Sequence, residues 1–302
     1  MLKKVLLIVN PGSGKGQAVK YGEDLRKVLE QSHQSKVELR QTEDMDDPFD
    51  WAQQAADEGY DTVICLGGDG TVNKTVAGIM AGPNQRPYFS FVPMGTVNDL
   101  ARALHMPLNT DQFIREFAKV ETQQIDIGKI NQSYFVNTIA IGTIAESVGD
   151  TSSDQKNKIG RLAYIRDGLA AAIEGQTYRL KIRDSSDRIH EIETPILVIG
   201  LTNSVGGFEQ MNTEAEVNDG LMYLTALKDS NLLEMGVAVL GNKLLDLPTD
   251  KLLILKDHEF LIESMEGAPV ASNVDGDAGP NLPLNLSVEA NALNVYVPRA
   301  KD

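Results

Sequence analysis

The chain has 302 residues, 42% of them hydrophobic and 24% charged, with a net charge of −15. Its length sets a prior of about two domains, and its composition is that of a soluble globular protein with enough apolar material for two cores. The strong negative charge argues against nucleic acid as a partner and against any general attraction to anionic lipid.

Leu2 to Val9 is a continuous apolar run. It passes directly into Asn10-Pro11-Gly12, so a buried first strand is expected rather than the apolar part of a signal peptide. A glycine-rich turn, residues 10 to 16, leads to a helical stretch from about Gln17 to Gln31. Lys36 to Gln41 alternates as a short strand. Pro48 to Asp57 reads as a helix with Trp51, Ala52, Ala55 and Ala56 on its apolar side. Thr62 to Leu66 is a third strand and holds the single cysteine, Cys65. That thiol is expected in the core; no internal disulfide is possible, and a reducing cytoplasm fits. Val72 to Met80 is a third helix, Tyr88 to Val92 a fourth strand and Asn98 to Leu104 a fourth helix. Repeated strand-helix units imply a parallel sheet with helices on both faces. Ligands bind such sheets at the carboxyl ends of the strands, where three glycine-rich turns fall.

The pattern changes after Val120. Ile125 to Ile130 and Ser133 to Ile139 flank Asn131-Gln132 as a hairpin, and Tyr178 to Arg183 and Ile189 to Leu201 flank residues 184 to 188 as another. Further strands are expected at Leu221 to Leu227, Leu252 to Leu255, Glu259 to Glu263, Pro269 to Val274, Leu284 to Val288 and Ala292 to Val297. Helices stand out near Ile159 to Ile173 and Asn231 to Leu240. The expected fold is a two-domain chain: an α/β N-terminal domain with a parallel sheet, then an antiparallel β-rich C-terminal domain built as a sandwich or open barrel. The domains are placed at 1–122 and 123–290, with about 291–302 packing back on the first. No run reaches the roughly 18 apolar residues needed to span a bilayer. The four histidines are not paired at metal-ligand spacing.

Gly67-Gly68-Asp69-Gly70-Thr71 carries the most chemistry. A strand ends, the chain turns on glycines, one carboxylate is displayed and a helix begins. Such a turn lets backbone N–H groups approach a phosphate chain at a helix N-terminus. The carboxylate would repel bare phosphate, so it suits a group that holds Mg2+ or takes a proton from an attacking hydroxyl. An ordinary glycine-rich turn is the plain alternative. The first turn, Asn10-Pro11-Gly12-Ser13-Gly14-Lys15-Gly16, is not a Walker A loop, because Gly16 stands where Ser or Thr would hold Mg2+. It still offers glycines and one lysine to a phosphate. In the third turn, Gly95-Thr96-Val97-Asn98-Asp99, Thr96 or Asn98 could cap the next helix, and Asp99 falls in its first turn where the dipole favours a carboxylate.

Taken together, these residues resemble the catalytic-domain family of diacylglycerol kinases, which includes soluble bacterial lipid kinases and the sphingosine and ceramide kinases. Asn-Pro-x-Ser-Gly, Gly-Gly-Asp-Gly-Thr and Gly-Thr-x-Asn-Asp-x-Ala-Arg follow in the family's order and spacing. Gly160 to Tyr164 looks like its Gly-x-x-x-Tyr helix, Asn218-Asp219-Gly220 like its Asp-Asp-Gly segment and Asp275-Gly276-Asp277 like its Asp-Gly-Glu segment. The resemblance covers essentially the whole chain. It implies an ATP-dependent lipid kinase acting on diacylglycerol or a similar lipid alcohol with Mg2+. By the same resemblance, ATP lies over Asn10, Gly12, Ser13, Gly14, Lys15, Thr42, Gly67, Gly68, Gly70, Thr71, Asn73, Gly95, Thr96 and Asn98. Asp69 acts at the phosphates, through Mg2+ or as a base; Asp277 stands where the family has its catalytic glutamate, with Asp99 a further catalytic carboxylate. Asp219, with the carbonyls of Glu216 and Leu221, matches a structural Mg2+ site, although Asp219-Gly220 alone reads equally as a turn.

The chain departs from the pattern at three places. Lys74 replaces a usual glutamate, Asp277 is one methylene shorter than the family's acid, and Asn212 stands where proline is common. The first two motivate an alternative, a non-catalytic or altered-specificity nucleotide- or lipid-binding member. A kinase of a soluble acceptor such as NAD is another, opposed by Asn98-Asp99-x-Ala101-Arg102. The expected location is the cytoplasm with transient peripheral contact at the inner face of the membrane. Residues 151 to 190, with eight Lys/Arg against five Asp/Glu, are the local candidate for that contact. A homodimer is left open.

Overall fold

The computed structural model describes residues 2–83, 85–142, 177–203, 214–228, 252–267 and 269–299, and the chain divides into two units, 1–127 with 291–302 and 128–290. The helices expected near 159–173 and 231–240, the Gly160 to Tyr164 motif, Lys156, Lys158, Arg161 and Asn212 lie outside the described residues.

In the first unit, β1 (Lys4–Val9) lies parallel to β2 (Lys36–Gln41) and β3 (Thr62–Gly67), and β3 lies parallel to β4 (Tyr88–Pro93). Val5 to Val9 and all of β3 are buried, which is why both read as unbroken apolar runs: a parallel sheet is covered on both faces. Helix α1 (Ala18–His33) buries Ala18, Gly22, Leu25 and Leu29, a single stripe at helical spacing. Between β2 and β3 comes α2 (Asp47–Gln54), between β3 and β4 comes α3 (Asp69–Ala81), and α4 (Asp99–Ala103) and α5 (Thr110–Glu116) follow β4. Helix α3 starts three residues before the expected Val72, because Gly68 is extended and Asp69 is already helical. Helix α5, not anticipated, is capped by Asn109, whose side chain accepts from Gln112 N at 2.9 Å.

Cys65 is fully buried, and burial pushes its thiol up to about 12. The thiolate is the reactive form, so the folded protein should resist a water-soluble maleimide at mildly alkaline pH while the denatured chain takes up one equivalent. Rapid labelling of the folded protein would contradict this burial.

The strand β5 (Val120–Ile130) crosses from the first unit to the second. In the second unit it pairs with β6 (Ser133–Phe135) across Asn131, with Gly128 opposite Phe135. A Cβ on Gly128 would sit 2.1 Å from the Phe135 ring, so glycine makes room for that side chain in the core. The expected strand from Ser133 to Ile139 is in fact two. After Phe135 the chain changes sheets and continues as β7 (Thr138–Gly142).

The same happens further on. After β8 (Tyr178–Asp184), the run Ile189 to Leu201 divides at Pro195 into β9 (Ile189–Thr194) and β10 (Ile196–Gly200), which lie in different sheets. Proline cannot donate to a ladder, and a central strand excludes it. The unit continues with β11 (Met222–Leu227), β12 (Leu252–Asp257), β13 (Glu259–Ser264), β14 (Ser272–Val274), β15 (Asp277–Ala278) and β16 (Leu284–Pro298). Among the described residues, one antiparallel sheet runs β12-β11-β10-β7-β14-β15; the other holds β16, β13, β8 and β9 in that order. Their inner faces share one core, with Ile139, Ile141, Leu197, Ile199 and Leu224 from the first sheet and Leu180, Ile182, Phe260, Ile262 and Leu286 from the second. This is the antiparallel, β-rich fold expected, in its sandwich form.

The two runs expected at 284–288 and 292–297 are one strand, β16. Its last part returns to the first unit, where it lies parallel to β4 with Val295 opposite Phe89. Ser90 Oγ donates to Tyr296 O at 2.7 Å, and Tyr88 stacks on Tyr296 at 4.8 Å.

Candidate functional site

The carboxyl ends of β1, β3 and β4 each release the chain into one of the three glycine-rich turns, and backbone hydrogen bonds hold these turns together. Asn10 N donates to Leu66 O at 3.0 Å, and Met94 N donates to Gly67 O at 3.1 Å. The Asn10 side chain works in two directions: Oδ1 accepts from Gly12 N at 3.0 Å, and Nδ2 donates to Thr71 Oγ1 at 3.4 Å. Met94 lies over Gly14, where a Cβ would come within 2.8 Å of its Cε.

Asp69 is the first residue of α3, with extended Gly68 before it. A Cβ on Gly95 would lie 2.8 Å from Asp69 Oδ2, 2.9 Å from Asn98 Oδ1 and 3.2 Å from Gly68 Cα. The second and third turns therefore meet backbone to backbone, with the Asp69 carboxylate against Gly95. Any side chain at position 95 would push that carboxylate away. The helix N-terminus, the glycine backbones and the exposed Lys15, itself left-handed at φ 58°, form an edge suited to a phosphate chain.

Of the other expected residues in this unit, Thr42 lies beside the first turn, its N–H donating to Val9 O at 2.9 Å. Ser13 N donates to Asn10 O at 3.0 Å, and Thr96 is exposed. Asn73 is one helical turn beyond Asp69, and its Oδ1 is buried with no partner among the described residues. Asp99 opens α4 and is 8% exposed. Asn98 stands at the cap position of α4, but its side chain makes no cap bond. It is left-handed at φ 56°, its Oδ1 accepts from Gly95 N at 2.8 Å, and its Nδ2 donates to Gly95 O at 3.0 Å. Its amide thus shapes the third turn.

The remaining expected residues belong to the second unit. Asp277 is exposed in β15, opposite Val274. Two residues earlier, Asp275 is 4% exposed and left-handed at φ 49°. Its Oδ1 accepts from Asn137 N at 2.8 Å and Thr138 N at 2.7 Å, and its Oδ2 accepts from Val136 N at 2.8 Å. This carboxylate joins the turn carrying Asp277 to the link between β6 and β7. Sequence reading quoted Asp275 without giving it a role; its partners lie far away in the chain, and only the Asp-Gly turn dipeptide hinted at its conformation. Asp219 closes its own loop: Oδ1 accepts from Leu221 N at 2.9 Å, and Oδ2 accepts from Glu216 N at 3.1 Å and from the Tyr223 hydroxyl at 2.8 Å. Burial, reinforced by the Asp219 carboxylate, pushes the Tyr223 phenol upward, so it stays a donor.

Among the described residues, no group of three or more His, Cys, Asp or Glu side chains could cage a metal ion. Mg2+ needs no such cage when one or two carboxylates and a substrate's phosphates share it, and Asp69 at the phosphate edge suits that mode. No helix among the described residues is long and apolar enough to cross a membrane.

Comparison with known proteins identifies the family and the fold. Residues 4–130 match the family model described as the diacylglycerol kinase catalytic domain. The diacylglycerol kinase of Staphylococcus carnosus (strain TM300) is 32% identical over 302 residues, covering 99% of this chain and 96% of that protein. Among solved structures, a diacylglycerol kinase from Bacillus anthracis str. Sterne superimposes with a TM-score of 0.82 at 23% identity, covering 98% of this chain and 97% of that one. Yeast NADH kinase, complexed with NADH, is more distant, with a TM-score of 0.52 at 13% identity over 99% of this chain and 84% of that one, and shares the fold alone. Fold and relatives together define a phosphotransferase of the lipid kinase class. The chain belongs to the diacylglycerol kinase family.

Proposed function

We propose that the protein transfers the γ-phosphoryl group of ATP to the primary hydroxyl of diacylglycerol or a closely similar lipid alcohol. The observation that carries this reading is the meeting of Gly68, Asp69 and Gly95, which leaves bare backbone and one carboxylate where a triphosphate would lie. The first unit binds the nucleotide and the second the lipid. Backbone N–H groups of the three turns and the Lys15 ammonium hold the phosphates, and Asp69 acts beside them. Bound with the nucleotide, Mg2+ would neutralise charge on the transferring group. Asp277 accepts the proton of the lipid hydroxyl as its oxygen forms the new bond to phosphorus. The bond from phosphorus to the bridging oxygen breaks, and ADP leaves. In-line transfer of this kind needs positioning and charge neutralisation more than covalent chemistry. A Mg2+ held by Asp219 with the Glu216 and Leu221 carbonyls would use the lone-pair capacity left by the three bonds at Asp219, and would serve the loop rather than the reaction. The lipid is reached by transient peripheral contact with the membrane.

The test is product identification after incubation with ATP, Mg2+ and mixed vesicles. Phosphorylated lipid in the presence of diacylglycerol is expected. Phosphorylation of NAD alone, or of nothing, would overturn the reading. Asp277→Glu restores the reach of the family's acid and should leave the rate unchanged or raise it. A loss beyond about tenfold in a folded variant would show that the pocket is built around the shorter acid and does not follow the family's geometry.

A further inference from the structure

Lys74, a departure from the family pattern, has a specific partner. It lies on α3, five residues after Asp69, and its Nζ is 2.7 Å from Asp46 Oδ1. Asp46 stands at the position before α2, with no capping bond from its side chain, and belongs to a closed acidic turn. Asp47 Oδ2 accepts from Glu43 N at 2.7 Å and Asp44 N at 2.8 Å, and Asp44 Oδ1 accepts from Asp46 N at 3.0 Å. The turn follows Thr42 directly, at the same sheet edge as the three glycine-rich turns. Four carboxylates, Glu43, Asp44, Asp46 and Asp47, thus stand at the sheet edge where a polyanion would bind. Among the described residues, the cation paired with this turn is Lys74.

We infer that Lys74 is a positioning residue for nucleoside triphosphate: it anchors the acidic turn to α3 and offsets its charge, so that Thr42 and the phosphate edge keep their places. This rests on the reading that the first unit binds ATP. Lys74 and Asp46 are 28% and 76% exposed, so the expected effect is modest, and salt screens it.

The experiment is ATP binding by titration calorimetry at low salt, without lipid, using wild type, Lys74→Arg, Lys74→Glu and the charge-swapped Lys74→Glu/Asp46→Lys. Lys74→Glu should weaken binding by about fivefold, with thermal stability unchanged. The charge swap should return to within about twofold of wild type, as should Lys74→Arg, because the coupling belongs to the pair. The deficit of Lys74→Glu should shrink at high salt. In the lipid assay the same variant should raise the KM for ATP and leave kcat unchanged. Wild-type affinity in Lys74→Glu, or a charge swap as weak as the single variant, would overturn the inference. ATP binding by a wild type that phosphorylates no lipid would refute the lipid kinase reading and leave this one standing; no ATP binding at all would refute both.

Discussion

Asp69→Asn should abolish lipid phosphorylation, with a loss of about 10²–10⁴-fold in initial rate, while the protein stays folded. The substitution keeps the shape that fits against Gly95 and removes the charge beside the expected phosphates. Thermal unfolding should be close to that of wild type. Binding of ATP without Mg2+ should be retained or tightened, since a carboxylate repels bare phosphate. A variant within tenfold of the wild-type rate would show that Asp69 serves the turn and not the chemistry. An unfolded variant would show that the carboxylate is structural.

Asp275→Ala should have the largest effect on stability, about 3–5 kcal/mol by urea denaturation. The carboxylate is 4% exposed and accepts from three backbone N–H groups in succession. Removing it leaves those donors without their acceptor, because water has little access. Asp275→Asn separates shape from charge: its amide can still accept at one atom but presents a donor to another donor at the other, so it too should destabilise. Activity should fall in both, because the turn that carries Asp277 loses its anchor. Wild-type stability in Asp275→Ala would show that the three donors find other partners.

The first unit was readable in the sequence because its inner strands β1, β3 and β4 are buried almost throughout. Apolar runs such as Leu2 to Val9 and Thr62 to Leu66 have no polar alternation to confuse them, and glycine turns mark their ends. The start of α3 was misplaced because Gly70 looks like a loop residue, yet it sits in the first turn of a largely buried helix. Helix α5 is short and mostly polar, and its one local signal, Asn109 three residues before Gln112, is easily overlooked. In the second unit, strands that change sheets look continuous in sequence. Pro195 was the available sign for one of these breaks; the other, after Phe135, is held by Asp275, whose bonds to Val136, Asn137 and Thr138 span some 137 to 139 positions. No local pattern encodes such a contact. The meeting of the three turns was suggested by their common sheet edge, but the contact of Asp69 with Gly95 depends on packing between α3 and the turn after β4. The closure of Asn98 onto Gly95, where a cap was expected, depends on a left-handed residue that asparagine tolerates.

The most direct measurement is steady-state ADP release as the mole fraction of diacylglycerol in vesicles is raised at fixed ATP and Mg2+. A kinase with a lipid acceptor should show ADP release that rises from near zero and saturates with diacylglycerol, matched one for one by phosphorylated lipid and lost in Asp69→Asn. ADP release independent of diacylglycerol, or none at any lipid content, would contradict phosphoryl transfer to a lipid hydroxyl.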